Sequence, residues 1–168
     1  MRNSETPGFS PGALPDRCEP WYSPCVAMPD ETGFEIFAVT ADKGIRAWGR
    51  DLPEVFVNAA RGMWSLMVEP GTARLQEMLP VRAEAGDRET LLVAWLNELL
   101  YLHEAEEFVA AEFSIKQLTD TKLEAEVWGE RVDRARHALV GHVKAATYHM
   151  LQVSPTAGGW EAQVVVDV

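Results

Sequence analysis

Cysteine is scarce in this 168-residue chain, and so is positive charge. The two cysteines, Cys18 and Cys25, fall near the N-terminus, with no C-x-x-C spacing and no histidine cluster around them. That pattern argues against a zinc site and reads as two idle thiols. Lys and Arg number 15 against 26 Asp and Glu, a formal charge of −11. Direct, sequence-independent nucleic-acid binding needs cations against phosphates, so so acidic a chain is a poor fit to it. The charge suits a partner with a basic groove, bound cations, or plain solubility. No apolar run is long enough to span a membrane, and the N-terminus lacks the basic-then-apolar order of a signal peptide, so the expected location is the cytoplasm. Also missing are an HExxH pattern, a P-loop and a nucleophile elbow, the modules by which catalytic chains commonly announce themselves.

What is present suffices for one folded domain. Apolar residues make up 47% and charged residues 24%, ordinary values for a globular protein of this length. Residues 1–33 hold six of the ten prolines and few aliphatics. Such a stretch buries too little apolar surface to offset its ordering entropy, so it reads as a poorly ordered extension, with Trp21, Tyr22 and Val26 as possible anchors. A regular domain is expected over 34–168. Phe34 to Val39 alternates as a strand, Ala41-Asp42-Lys43-Gly44 carries turn chemistry, and Ile45 to Arg50 reads as the second strand of a hairpin. Asp51-Leu52-Pro53-Glu54 is a helix start, and the apolar face from Leu52 to Met67 is expected to stop at Glu69-Pro70-Gly71.

Ala73 to Glu84 is expected as a strand, placed at a sheet edge by Pro80. Gly86-Asp87 opens a long helix to Glu106, with Leu91, Leu92, Trp95, Leu96, Leu99 and Leu102 inward and Thr90, Asn97, Glu98 and Glu104 outward. Strands follow at Phe108–Leu118 and Lys122–Glu130, then a final hairpin of Val143–Val153 and Trp160–Asp167. The sum is an α+β single domain of about seven mostly antiparallel strands with two helices packed on one side.

Chemistry gathers where the last strand ends. Trp160, Ala162, Val164 and Val166 share one parity, so Asp167 faces the other way, with the carboxylate of Val168 one residue on. Two carboxylates at a sheet rim repel, and a hard cation would relieve that by taking oxygen ligands from both. The bland alternative is an exposed, solvated acid. Asp42 is open in the same way, since Asp beside Gly in a turn serves as a backbone cap more often than as a ligand.

Five ordered blocks bear on both. Thr40-Ala41-Asp42-Lys43-Gly44-Ile45-Arg46-Ala47-Trp48-Gly49 comes first, then Trp95-Leu96-Asn97-Glu98-Leu99-Leu100-Tyr101-Leu102, then Gly129-Glu130 with Asp133 and His137. Val143-Lys144-Ala145-Ala146-Thr147-Tyr148-His149 and Val164-Val165-Val166-Asp167-Val168 complete the set. In order and spacing they resemble the archease family from about Phe34 onward. That resemblance implies an accessory protein rather than an enzyme, a cofactor of an RtcB-type, GTP-dependent RNA ligase. Such ligases join a 2′,3′-cyclic-phosphate RNA end to a 5′-hydroxyl end in tRNA splicing and RNA repair. It also implies that guanylylation and multiple turnover of the ligase are promoted, with RNA met only through the ligase and no membrane involved. A divalent metal (Ca, or Mg or Mn) is implied at Asp42, Asp167 and Val168, and Glu130, His137 and Lys144 become candidates for acting on the partner.

Two positions depart from the family pattern. Val39 stands where a His commonly precedes the Thr-Ala-Asp, and Lys43 replaces an aliphatic residue, which places a cation beside the expected site. Glu130, Asp133 and His137 have i, i+3, i+7 spacing and could share a helical face, although charged surface turns are commoner. Lys144 could simply snorkel from a sheet edge. A different class of function, a stand-alone metal-dependent phosphoester hydrolase, would draw its base from Glu130 or His137. A purely structural scaffold is the third reading.

Overall fold

The computed structural model describes residues 33–168. Cys18, Cys25, Trp21, Tyr22 and the rest of the expected extension lie outside the described residues, except Gly33, which opens β1. In chain order the elements are β1 (Gly33–Val39), β2 (Asp42–Gly49), α1 (Leu52–Ser65), β3 (Glu77–Glu84), α2 (Arg88–Ala105), β4 (Phe108–Leu118), β5 (Lys122–Arg131), β6 (Ala145–Thr156) and β7 (Gly159–Asp167). All strand pairs are antiparallel, in one sheet ordered β1-β2-β7-β6 and another ordered β3-β5-β4. The α+β class, the strand content and the two helices are as expected.

Both helix starts are encoded locally. The Asp51 carboxylate accepts the Glu54 main-chain N–H at 2.9 Å, and Glu54 Oε2 reaches back to accept the Arg50 main-chain N–H at 2.9 Å. Asp87 and Thr90 form a reciprocal capping box at the start of α2. Those bonds hold the Asp87 carboxyl below its ordinary range.

The helices face inward on both sheets at once. α1 packs on β1, β2 and β7 of the first sheet and on β4 of the second; α2 packs on β6 and on β3, β4 and β5. Each sheet thus has the helices on one side, as expected, but the helices are themselves covered on both sides. That explains why α2 buries Leu91, Leu92, Val93, Trp95, Leu96, Leu99 and Leu100 around most of its circumference. Trp95 is fully buried and its indole N–H donates to the Phe56 carbonyl at 3.1 Å, which joins the two helices across the core.

Four local expectations are corrected. Asp42, Lys43 and Gly44 belong to β2, not to the turn; the loop is Thr40-Ala41, with Ala41 at φ 66° and Val39 paired with Asp42. Gly44 is needed inside the strand because the Phe37 ring lies across it, and an added Cβ would sit 2.1 Å from a ring carbon. Helix α1 ends at Ser65 rather than at Pro70. Met67 and Val68 stay buried beyond it because Val68 bridges to Leu139 and extends the apolar pattern without extending the helix. Strand β3 begins at Glu77, not Ala73, and Leu75 is exposed. Its edge position, expected from Pro80, is observed.

Asn97 is the fourth. The helical pattern places it on the solvated face of α2, but its Oδ1 accepts the Ala146 N–H at 2.9 Å and its Nδ2 donates to the Ala146 carbonyl at 3.3 Å. The amide thereby acts as the missing neighbour of edge strand β6 and ties α2 to it. Among the described residues, no helix is long and apolar enough to cross a membrane.

Candidate functional site

Strand pairing brings the separated blocks together at one end of the first sheet. Lys43 pairs with Val166 between β2 and β7, so Asp42 stands one step further along, opposite Asp167. Asp167 in turn pairs with Ala145 of β6. Val39, Asp42, Asp167 and Ala145 therefore form one row across four strands, with side chains on a common face. The Lys144 main-chain N–H donates to the Asp167 carbonyl at 2.8 Å. Its ammonium donates to the Val168 main-chain oxygen at 3.3 Å and lies 3.9 Å from Asp167 Oδ1.

This row clarifies the two departures from the family pattern. Val39 is the direct cross-strand partner of Asp42, so an apolar side chain flanks the carboxylate where a His commonly would. Lys43 alternates to the opposite face, with its partners Ala38 and Val166, so its side chain starts on the side away from Asp42.

Among the described residues no group of three or more His, Cys, Asp or Glu side chains is arranged to hold a metal. A cation here would have the Asp42 and Asp167 carboxylates and the Val168 main-chain oxygen, all open to water. Oxygen-only donors with room for water ligands fit Mg²⁺, Mn²⁺ or Ca²⁺ and not a soft metal.

Glu130 and His137 are drawn into a different arrangement, at the end of β5 in the second sheet. The stretch from Val132 to Lys144 leaves β5, turns through Asp133–Arg136, and lies against the segment after α1. There Glu69 N–H donates to the Ala138 carbonyl at 3.0 Å and Val140 N–H to the Met67 carbonyl at 2.9 Å. Glu130 is buried beneath that turn. Its carboxylate accepts both guanidinium N–H groups of Arg136, at 2.6 and 2.7 Å, the Arg74 main-chain N–H at 2.8 Å, and His137 Nε2–H at 3.0 Å. Led by the Arg136 hydrogen bonds, these partners outweigh burial and lower the Glu130 pKa to about 2.

His137 is also buried, and its Nδ1 accepts the Asp133 main-chain N–H at 2.8 Å. Nδ1 therefore carries the lone pair and Nε2 the proton. Asp133 does not share a helical face with the other two; its carboxylate accepts the Ala135 N–H and lies 3.6 Å from Arg136 Nε. Every lone pair that a hydrolase base would need from His137 is committed, and Glu130 is enclosed by donors. Spacing and resemblance bring out Glu130 and His137 but not Arg136, the principal partner of Glu130. The signal was a general one: a buried carboxylate requires a cation, and Arg supplies two parallel donors.

Gly129 makes this corner possible. An added Cβ would lie 2.0 Å from the Val109 carbonyl oxygen and 2.9 Å from the Phe108 ring, beside the register shift between Ala110 and Glu112. Backbone, not a flexible side chain, is in the way. Gly129→Ala is expected to cost about 3 kcal/mol or more, read as a lower urea midpoint at unchanged slope.

Elsewhere, a cavity of about 280 Å³ opens between α1 and β4, lined by Phe34, Trp64, Val68 and Phe113, and holds none of the candidate site residues.

The class this defines is an α+β domain of two antiparallel sheets clasping two helices, with paired carboxylates at one sheet end and a buried carboxylate–arginine–histidine network at the end of the other. Residues 34–168 match the archease protein family, and the chain belongs to it. Protein archease of Methanosarcina acetivorans is 37% identical over 139 residues, covering 80% of this chain and 95% of the relative. Protein archease of Methanothermobacter thermautotrophicus is 37% identical over 144 residues, covering 81% and 99%. The solution structure of Methanobacterium thermoautotrophicum protein 1598 is similar at a TM-score of 0.69 and 35% identity, covering 81% of this chain and 99% of that one.

Proposed function

We propose that this protein is a non-catalytic accessory factor of the cytoplasm that activates a GTP-dependent RNA ligase by holding a divalent cation at Asp42, Asp167 and Val168. The observation that carries the reading is the convergence of Asp42 with Asp167 and the Val168 oxygen at one sheet end, in a member of the archease family. When bound, the cation supplies positive charge to phosphates in the partner's nucleotide pocket. The protein's own residues do the rest. β2 and β7 fix the spacing of the two carboxylates, and the main-chain bond from Lys144 to Asp167 anchors the adjoining loop. The Glu130–Arg136–His137 network holds the other end of that loop against the body of the domain. The formal charge of −11 suits docking on a basic ligase surface, with RNA engaged by the ligase alone.

The test is guanylylation and multiple-turnover ligation by the cognate RNA ligase, with wild type, Asp42→Ala and Asp167→Ala added in turn. Wild type is expected to raise both rates and each variant to lose most of the stimulation. Stimulation retained by both variants would support a scaffold and sink the cation reading. Wild type without effect on the ligase would sink the function itself.

A further inference from the structure

We infer that Lys144 is a tethered counter-cation that competes with the divalent ion for the same oxygens, so that filling the site and seating this ammonium exclude one another. The inference deepens the cation reading above and rests on it.

The geometry is specific to Lys144. Its main chain is pinned by the N–H donated to the Asp167 carbonyl, which fixes the root of the side chain beside the carboxylate row. Its ammonium then reaches the Val168 main-chain oxygen and the Asp167 carboxylate, two of the three proposed donors. Among the described residues no other cation is placed to do this. Lys43 starts on the opposite face, Val39 and Ala145 complete the row without charge, and Arg46 is engaged further down the sheet by Glu161 and Glu35.

An oxygen that donates its lone pairs to a divalent ion at about 2.0–2.6 Å cannot also receive an ammonium on the same side. The two cations also repel at a separation near 4 Å. The Lys144 side chain is 60% exposed, so it is free to swing into water when displaced. Cation loading therefore changes the charge the protein presents at this edge: the ion enters and a tethered ammonium is released toward solvent. The same competition sets affinity. A carboxylate pair with its own counter-ion responds only to divalent concentrations that overcome it, and screening by salt reduces the handicap.

The experiment is calorimetric titration of Ca²⁺ and Mn²⁺ into the full chain as wild type, Lys144→Met, Lys144→Arg and Asp167→Asn, with thermal unfolding of each to check the fold. Lys144→Met is expected to bind about three- to tenfold tighter than wild type at low salt, the gap narrowing as salt is raised. Lys144→Arg keeps the charge and is expected to stay near wild type, a result that a packing role for the side chain would not give. Binding that is lost in Asp167→Asn but equal or weaker in Lys144→Met overturns the competition and leaves the cation site standing. Absence of binding in both wild type and Lys144→Met overturns the site and the competition together.

Discussion

Glu130→Ala is expected to lower the unfolding free energy by about 3–5 kcal/mol, a large part of the stability of a domain this size. The substitution leaves the Arg136 guanidinium, the Arg74 N–H and the His137 Nε2–H without their shared acceptor, and the last of these is buried. Arg136 is itself partly exposed and can turn to water, which is why the lower figure is as reasonable as the upper. Urea unfolding at neutral pH measures the cost. The acid side isolates its electrostatic part. The Glu130 pKa is depressed from 4.5 to about 2, so the folded state binds its proton less readily than the unfolded chain. Its stabilisation is therefore complete above about pH 4.5 and is lost as pH falls toward 2. Glu130→Gln should flatten the decline of stability across that window relative to wild type. Parallel declines would mean that the carboxylate is not held as the hydrogen bonds indicate.

A second large effect is expected from divalent cations on the wild-type protein and not on Asp42→Ala or Asp167→Ala. A ligand that binds only the folded state stabilises it by about 2.7 kcal/mol at a hundred times its dissociation constant. For a domain of this length that corresponds to a rise of roughly 5–10 °C in the melting temperature. Losing either carboxylate removes one of the charged donors at the site, and with it much of the attraction for a hard cation. Without added cation the variants should melt close to wild type, because Asp42 and Asp167 are solvent-accessible and removing one relieves like-charge repulsion. A variant that melts early in buffer alone would show a structural role for these carboxylates and not a ligand role.

Structure changed the meaning of several residues more than their location. The spacing of Glu130, Asp133 and His137 fits a shared helical face or, more commonly, a charged surface turn, yet two of them are buried and mutually bonded. Periodicity cannot show this, because the turn that covers them is not helical and Arg136, the cation that pairs with Glu130, stands among other charges. Asn97 escapes the helical pattern for a related reason. A polar residue in a helical pattern is assigned to solvent unless something outside the helix is known to need it, and β6 approaches α2 only in the folded domain. Gly44 reads in the sequence as a turn residue, though its lack of a side chain answers to the Phe37 ring across the strand pair.

By itself, then, the sequence determined whatever depends on neighbours a few residues away. The Asp51 and Asp87 caps, the final hairpin, the edge strand with Pro80 and the alternation that points Asp167 away from Val166 all follow from short-range hydrogen bonds and period-two or period-3.6 burial. Resemblance singled out Asp42 and Asp167 as a set. Only the pairing of β2 with β7 put them side by side, since strand order is chosen by which apolar faces close over the helices. Likewise only the tertiary structure decided which acid is buried with an arginine and which stays open to water at the sheet end. Desolvation depends on everything that folds over a group, and no local stretch of sequence contains that.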